Sequence, residues 1–156
     1  MHTLVSKISQ LLTSRNWHLA VAESATGGLL GHVITQVPGS SDYFWGGVIA
    51  YANELKIHLL KVNKENIIHW GAVSSYVALE MARGVCYATN TEVGISITGI
   101  AGPGGATEIK PVGLYYIAVA LPHELRCWRH VFDGTRAENN QQAAHAALEH
   151  LITLLS

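Results

Sequence analysis

Apolar residues recur at helical spacing at Leu4, Val5, Ile8, Leu11 and Leu12, which predicts an amphipathic first helix, and an apolar run of strand length follows at 18–22. Leu29, Leu30, Val33, Ile34 and Val37 repeat the helical period, so a second helix ends near Val37, ahead of the loop 38–42. The run 43–51 reads as a strand in which adjacent Gly46 and Gly47 predict a bulge or a close contact. Asn53 opens a short helix, with Leu55, Leu59 and Leu60 assigned to its inner face. A second short helix covers 65–70, and Ser74 or Ser75 caps a longer one that runs to about residue 88. Between 92 and 100, Val93, Ile95 and Ile97 alternate with Gly94, Ser96 and Thr98, the period of two expected of a strand. Segments 112–121 and 125–132 form a strand pair that turns near Pro122 and His123, and 136–155 a terminal helix. Helices interleaved with strands imply an α/β protein, a three-layer α/β/α sandwich whose mostly parallel sheet is made mixed by the final hairpin. No repeat or linker interrupts the pattern, so 1–156 is expected to be one domain.

Composition narrows the class. Charged residues make up 13% of the chain, about half the usual share, against 49% apolar residues, so part of the surface is expected to be hidden in an oligomer, by default a homodimer. A net charge of −1 without a Lys/Arg cluster argues against nucleic acid and against an anionic membrane as partners. The N-terminus lacks a long apolar core after a basic start, and Cys86 and Cys127 stand in no metal-like spacing. Both features point to a reducing cytoplasm. Nine histidines invite a metal reading, but His145 and His150 lie off the i, i+4 spacing of paired helical ligands and His58 and His69 have no carboxylate or cysteine partner; neither metal nor cofactor is expected.

Candidate chemistry gathers at three places. Ser24 stands where the first strand turns into a helix, in Ala22-Glu23-Ser24-Ala25-Thr26-Gly27-Gly28. Unpaired N–H groups and the positive helix end at such a joint stabilise an anion, either a bound phosphate or the oxyanion of an acyl-transfer intermediate. The alternative is that Ser24 or Thr26 N-caps the helix. The paired glycines favour close approach of a ligand or another backbone. Lys56, on a short helix after the next strand, would reach the same sheet edge, or else be solvated like most lysines. The run from Thr98 to Gly105 resembles an anion-cradling loop without the Gly-Lys-Ser/Thr ending of a nucleotide P-loop, and a merely flexible connection is the other reading.

Taken together, Ala22-Glu23-Ser24-x-Thr26-Gly27-Gly28, Tyr51-x-Asn53-Glu54-x-Lys56, Gly71-Ala72-Val73-Ser74, Thr98-Gly99-Ile100-Ala101-Gly102-Pro103-Gly104-Gly105 and Lys110-Pro111-Val112-Gly113 resemble the CinA C-terminal domain family. The resemblance spans nearly the whole chain, in order. The family's best-known activity is the PncC-type nicotinamide-nucleotide amidase. Longer, competence/damage-inducible members place this domain after a molybdopterin-binding-like one, and the chain looks like the stand-alone form. The resemblance implies the α/β/α fold, dimerisation, a nucleotide substrate and deamidation of nicotinamide mononucleotide to nicotinate mononucleotide plus ammonia.

The mechanism so implied is a serine/lysine hydrolase in which Ser24 attacks the carboxamide and Lys56 is the neutral base. To be substantially neutral near pH 7, Lys56 must lose about three pKa units, roughly 4 kcal/mol of disfavoured charge; burial must supply it, and an inward Glu54 would oppose it. Tyr51 either orients Lys56 by a hydrogen bond or is a strand-end core aromatic. Amides around Thr26, Gly27 and Gly28 are the first choice for an oxyanion hole, and Thr98, Gly99, Gly102, Gly104 and Gly105 for holding ribose and phosphate. Arg136 either pairs with phosphate or is solvated. Two departures stand out. Ala25 replaces a frequent family cysteine, a small-for-small change. Where the family usually has Gly-Asp-Arg-x-x-(aliphatic)-Arg, Gly134-Thr135-Arg136-Ala137-Glu138-Asn139-Asn140 keeps only the first arginine. Asn140 therefore supports an alternative function, a non-catalytic nucleotide-binding or regulatory protein that kept the fold.

Overall fold

β1 (Leu19–Glu23) is buried along its whole length and β3 (Val93–Gly99) all but its last residue, the pattern of strands covered on both faces. The computed structural model describes residues 1–156. Around these two strands the chain adds α1 (His2–Thr13), α2 (Leu29–Thr35), a 3-10 turn (Ser40–Asp42), β2 (Phe44–Ile49), α3 (Asn53–Leu60), α4 (Lys64–Trp70), α5 (Ser75–Thr89), β4 (Leu114–Leu121), β5 (Glu124–Val131) and α6 (Arg136–Leu155). The five-stranded sheet has the order β2-β1-β3-β4-β5. β1 pairs parallel with β2 and β3, whereas β4 runs antiparallel to β3 and to β5, so β4 alone points the other way. This is the expected α/β/α sandwich with a mixed, mostly parallel sheet.

The period of two sorts the strands between two cores. Leu19, Val21, Ile95, Ile97, Ile117 and Val119 face one layer with the apolar sides of α1, α2 and α6, while Ala20 and Ala22 face α3 and α5 through Leu60, Val77, Met81 and Val85. Beneath α5 the residues are small: Ala78, Ala82, Ala118 and Ala120 pack together, and the buried Ser96 hydroxyl donates to Ala78 O at 2.6 Å. Small side chains let α5 lie close on the sheet and hold the loops at its N-terminus over the strand ends.

Local signals match closely. Ser74, not Ser75, caps α5 by accepting from Val77 N, and Thr135 with Glu138 forms a capping box on α6. Register jumps from Leu19↔Phe44 to Ala20↔Gly46, so Trp45 is the extra residue of a bulge at the glycine pair. The inner face of α3 differs from the expectation. Leu55 and Leu59 are exposed, and the buried side chains are Lys56 and Leu60. A helix of eight residues has room for only two inward positions four apart, and the lysine holds one. No helix is long and apolar enough to cross a membrane.

At the edge strand of the sheet, β5 and α6 are joined by imidazoles. His130 Nε2 and His150 Nε2 lie 2.8 Å apart, His150 stacks on Trp128, and His130 on Phe132. Burial, then the neighbouring His130, pushes His150 down to about 4, against Glu149; burial likewise lowers His130. Since the folded pKa lies below the unfolded one, the unfolded chain binds more protons, so stability is full above about pH 6.5 and declines as pH falls toward 4. His150→Phe, which keeps the ring stack, is expected to flatten the fall in melting temperature between pH 7 and pH 4.5. An unchanged slope would count against the pair as an acid-labile joint.

Candidate active site

Parallel strands β1, β2 and β3 end at one edge of the sheet, and the chain leaves each at that edge with a segment that carries a candidate residue. Pairing continues past the strand ends: Ser24 N donates to Ile97 O at 3.0 Å and Ala50 N to Glu23 O at 2.8 Å. The three segments thereby meet around a cavity of ≈ 320 Å³ lined by Ser24, Ala25, Tyr51, Asn53, Lys56, Ala72, Val73, Thr98, the loop from Gly99 to Gly105 without Pro103, and Arg136. A crevice at the carboxyl ends of the strands is where α/β sheets bind ligands.

Lys56 is 1% exposed and Ser24 8%, and Lys56 Nζ lies 3.0 Å from Ser24 Oγ. Nζ also donates to Ala50 O at 2.8 Å and Tyr51 O at 3.2 Å. Burial lowers Lys56 from 10.5 to about 8, with Glu54 working against the shift. In the neutral amine two N–H groups serve the Ala50 and Tyr51 carbonyls, and the lone pair faces the Ser24 hydroxyl, which then donates to it. That arrangement can take a proton from the serine as it attacks an electrophile.

The helix end behind Ser24 is occupied by its own neighbour. Glu23, 1% exposed, accepts four hydrogen bonds: Oε2 from Thr26 Oγ1 (2.6 Å), Gly28 N (3.1 Å) and Leu30 N (3.0 Å), and Oε1 from Gly31 N (2.8 Å). Neither Ser24 nor Thr26 caps α2; its N-cap is Gly28. The expectation that Thr26, Gly27 and Gly28 line the site is corrected: the Thr26 hydroxyl and the Gly28 amide are spent on Glu23, the Gly27 amide on Ser24 O, and none of the three borders the cavity. The glycines are there for the turn, at φ 59° and 103°, where a side chain is strained. The free donors beside Ser24 are the Ala25 and Thr26 amides, neither of which has an acceptor in the protein; of the two residues, Ala25 lines the cavity.

Opposite Ser24, the amides of Ala101, Gly102, Gly104 and Gly105 are likewise without acceptors. Thr98 Oγ1 donates to Ala72 O at 2.9 Å, and Gly99 packs against the Tyr115 ring. Arg136 spans the mouth, donating from Nη1 to Gly102 O (2.9 Å) and from Nη2 to Tyr51 Oη (3.1 Å). The Tyr51 phenol, 61% exposed, therefore meets Arg136, and what orients Lys56 is the Tyr51 backbone carbonyl. Lys56 and Arg136 are the only charged residues in the lining, so the cavity is suited to an anion.

Asn140 stands apart from the cavity. Its Oδ1 accepts from the Tyr115 hydroxyl at 2.6 Å, a phenol that burial pushes up to about 12 with Arg136 opposing. Asn139, fully buried, ties Gly134 to Ala101 O, fixing the start of the glycine loop.

A family model described as the CinA C-terminal domain matches residues 1–155. A CinA-like protein of Nostoc punctiforme is 50% identical over 153 residues, 96% of this chain and 36% of that protein. One of Thermosynechococcus vestitus is 59% identical over 121 residues, 78% of this chain and 29% of that protein. The chain thus spans about a third of the length of these curated relatives. Among solved structures, the competence/damage inducible protein CihA from Agrobacterium tumefaciens superposes with TM-score 0.93 at 35% identity, over 99% of this chain and 95% of that one. A CinA superfamily protein from Enterobacter cloacae does so with TM-score 0.95 at 28% identity, over 98% and 90%.

Proposed function

The chain belongs to the CinA C-terminal domain family, and on that premise we propose that it is an amidohydrolase that deamidates nicotinamide mononucleotide to nicotinate mononucleotide and ammonia. The observation that carries this reading is the buried amine of Lys56, 3.0 Å from Ser24 Oγ, in a cavity with no carboxylate in its lining. Ser24 Oγ attacks the carboxamide carbon while its proton passes to Lys56 Nζ. The tetrahedral oxyanion is met by the Ala25 amide. Lys56 returns the proton to the departing nitrogen, and water, deprotonated by the same amine, releases the carboxylate and restores Ser24. Arg136 and the unpaired amides of the glycine loop are suited to the phosphate, and Thr98 lines the cavity between that loop and Ser24 as a candidate contact to the ribose.

Ammonia release from nicotinamide mononucleotide by purified protein, with chelator present, tests the proposal; tight nucleotide binding without release would favour the binding-only alternative. That alternative rests on Asn140, and the intact Ser24–Lys56 contact weighs against it. Arg136→Ala is expected to raise KM for the mononucleotide by roughly ten- to a hundredfold, a charge-assisted contact, and to change KM for the dephosphorylated riboside far less. Equal losses on both substrates would remove Arg136 from the phosphate. The same proposal includes a homodimer in the cytoplasm; exposed Trp45, Ile49, Leu55 and Leu59 along β2 and α3 are the apolar surface that supports pairing.

A further inference from the structure

Two walls of the cavity come from segments with few ties of their own. One is the loop between α4 and α5, whose Ala72 and Val73 line the cavity; the other is the strap from Gly102 to Gly113, of which Gly102, Gly104 and Gly105 line it. The strap is held at its near end by Arg136 on Gly102 O, and from 103 to 106 it makes no hydrogen bond. Its far end is a turn in which Thr107 N donates to Lys110 O and Lys110 N to Thr107 Oγ1.

From that turn the Lys110 ammonium reaches across to the other wall. It donates to Trp70 O, the last carbonyl of α4, and to Val73 O at 2.7 Å. No other hydrogen bond joins the strap to the 70–74 loop, and Lys110 has no carboxylate partner. Its charge is met by backbone carbonyls at the negative end of a helix instead. The opposing chain is shaped for this reach. Gly71 has φ 82°, where a side chain is strained, and a Cβ there would come within 2.7 Å of Lys110 Nζ, so a side chain at 71 would force the amine to shift from its place between the two carbonyls.

We propose that Lys110 is a positioning residue for the amidase site, a cross-cavity clamp that sets the distance between the glycine strap and the Ala72–Val73 wall and so the fit of the bound nucleotide. It touches neither Ser24 nor Lys56, whose geometry is fixed by Ala50, Tyr51 and the strand ends. Its loss should therefore weaken substrate binding and spare the chemical step. The kinetic part rests on the amidase reading; the clamp itself does not.

Lys110→Met, Lys110→Arg and Gly71→Ala test it, with nicotinamide mononucleotide as substrate and amide hydrogen exchange on the ligand-free proteins. For Lys110→Met and Gly71→Ala we expect KM to rise roughly tenfold with kcat within about twofold, faster exchange confined to the hydrogen-bonded amides of Gly71, Thr107 and Lys110, and recovery of KM in Lys110→Arg, whose guanidinium can reach both carbonyls. Unchanged exchange at these amides overturns the clamp. Faster exchange with unchanged KM, or a loss of kcat that follows a global rise in exchange, overturns the positioning role. If the parent releases no ammonia from the mononucleotide, the amidase reading fails while the exchange data still decide the clamp.

Discussion

Ser24→Ala is expected to lower ammonia release from nicotinamide mononucleotide by roughly 10⁴-fold or more, the scale seen when a nucleophile that acts as a unit with its base is removed. The fold should scarcely register the change. Ser24 does not cap α2, since Gly28 holds that position and Glu23 satisfies the helix amides. The only hydrogen bond of its hydroxyl is the one from Lys56 Nζ, and Lys56 keeps two carbonyl partners without it. Melting temperature and nucleotide affinity should therefore stay near those of the parent, a stability change within about 1 kcal/mol. Turnover, thermal melts and mononucleotide binding on the same preparation separate the cases. Activity retained in the alanine variant would end the acyl-enzyme mechanism, whereas loss of both activity and fold would return Ser24 to a structural role.

Most of the fold was legible because its signals are local. Every helix but α3 carries a 3.6-residue repeat or a side-chain cap, as at Ser74 and Thr135, and the buried strands are apolar runs between turn residues. The miss on α3 has a physical reason. Periodicity assigns leucines inward and lysine outward, but here Lys56 occupies the inward position, its amine held by the Ala50 and Tyr51 carbonyls, and Leu55 and Leu59 are left outside. A buried polar group in a candidate site is where pattern reasoning fails.

The site was legible in its side chains and less so in its backbone. Ser24, Lys56, Thr98, the glycine loop and Arg136 do meet around one cavity, although they lie as far apart as 112 positions in sequence, by the numbers of the first and last. Sequence could not say which amides are free. The N–H groups from Gly28 to Gly31 looked available for an anion, but the carboxylate one residue before Ser24 takes those of Gly28, Leu30 and Gly31, and the free donors are at Ala25 and Thr26. The only trace of this in the sequence is Glu23 itself, an acidic residue ending an apolar strand. Asn140 reads as the loss of a family arginine, yet in the folded chain its carboxamide serves the Tyr115 hydroxyl, a pairing between α6 and β4 that no local pattern reveals.

Lys56→Arg is expected to be nearly as inactive as Lys56→Met, because a guanidinium stays protonated and cannot take the serine proton at any working pH. In the parent, kcat/KM should rise with pH through a single deprotonation near 8, the value to which burial brings Lys56, and level off above it. A flat profile from pH 6 to pH 10 with chemistry limiting, or an active arginine variant, would reduce Lys56 to a fixed positive charge. The same desolvation has a signature in stability. Between about 8 and 10.5 the unfolded chain binds a proton at this lysine that the folded chain releases, so the folded state gains stability as pH rises across that window and lacks it below 8. The displacement corresponds to about 3 kcal/mol. Lys56→Met removes the titrating group while keeping most of its length. Its melting temperature should therefore lose this rise between pH 8 and pH 10.5, and at pH 7 should match or exceed that of the parent even though the Ala50 and Tyr51 carbonyls lose a donor. A methionine variant that melts well below the parent at pH 7 and keeps the alkaline rise would mean that the lysine is charged and stabilising where it sits, and the base would have to be sought elsewhere in the cavity.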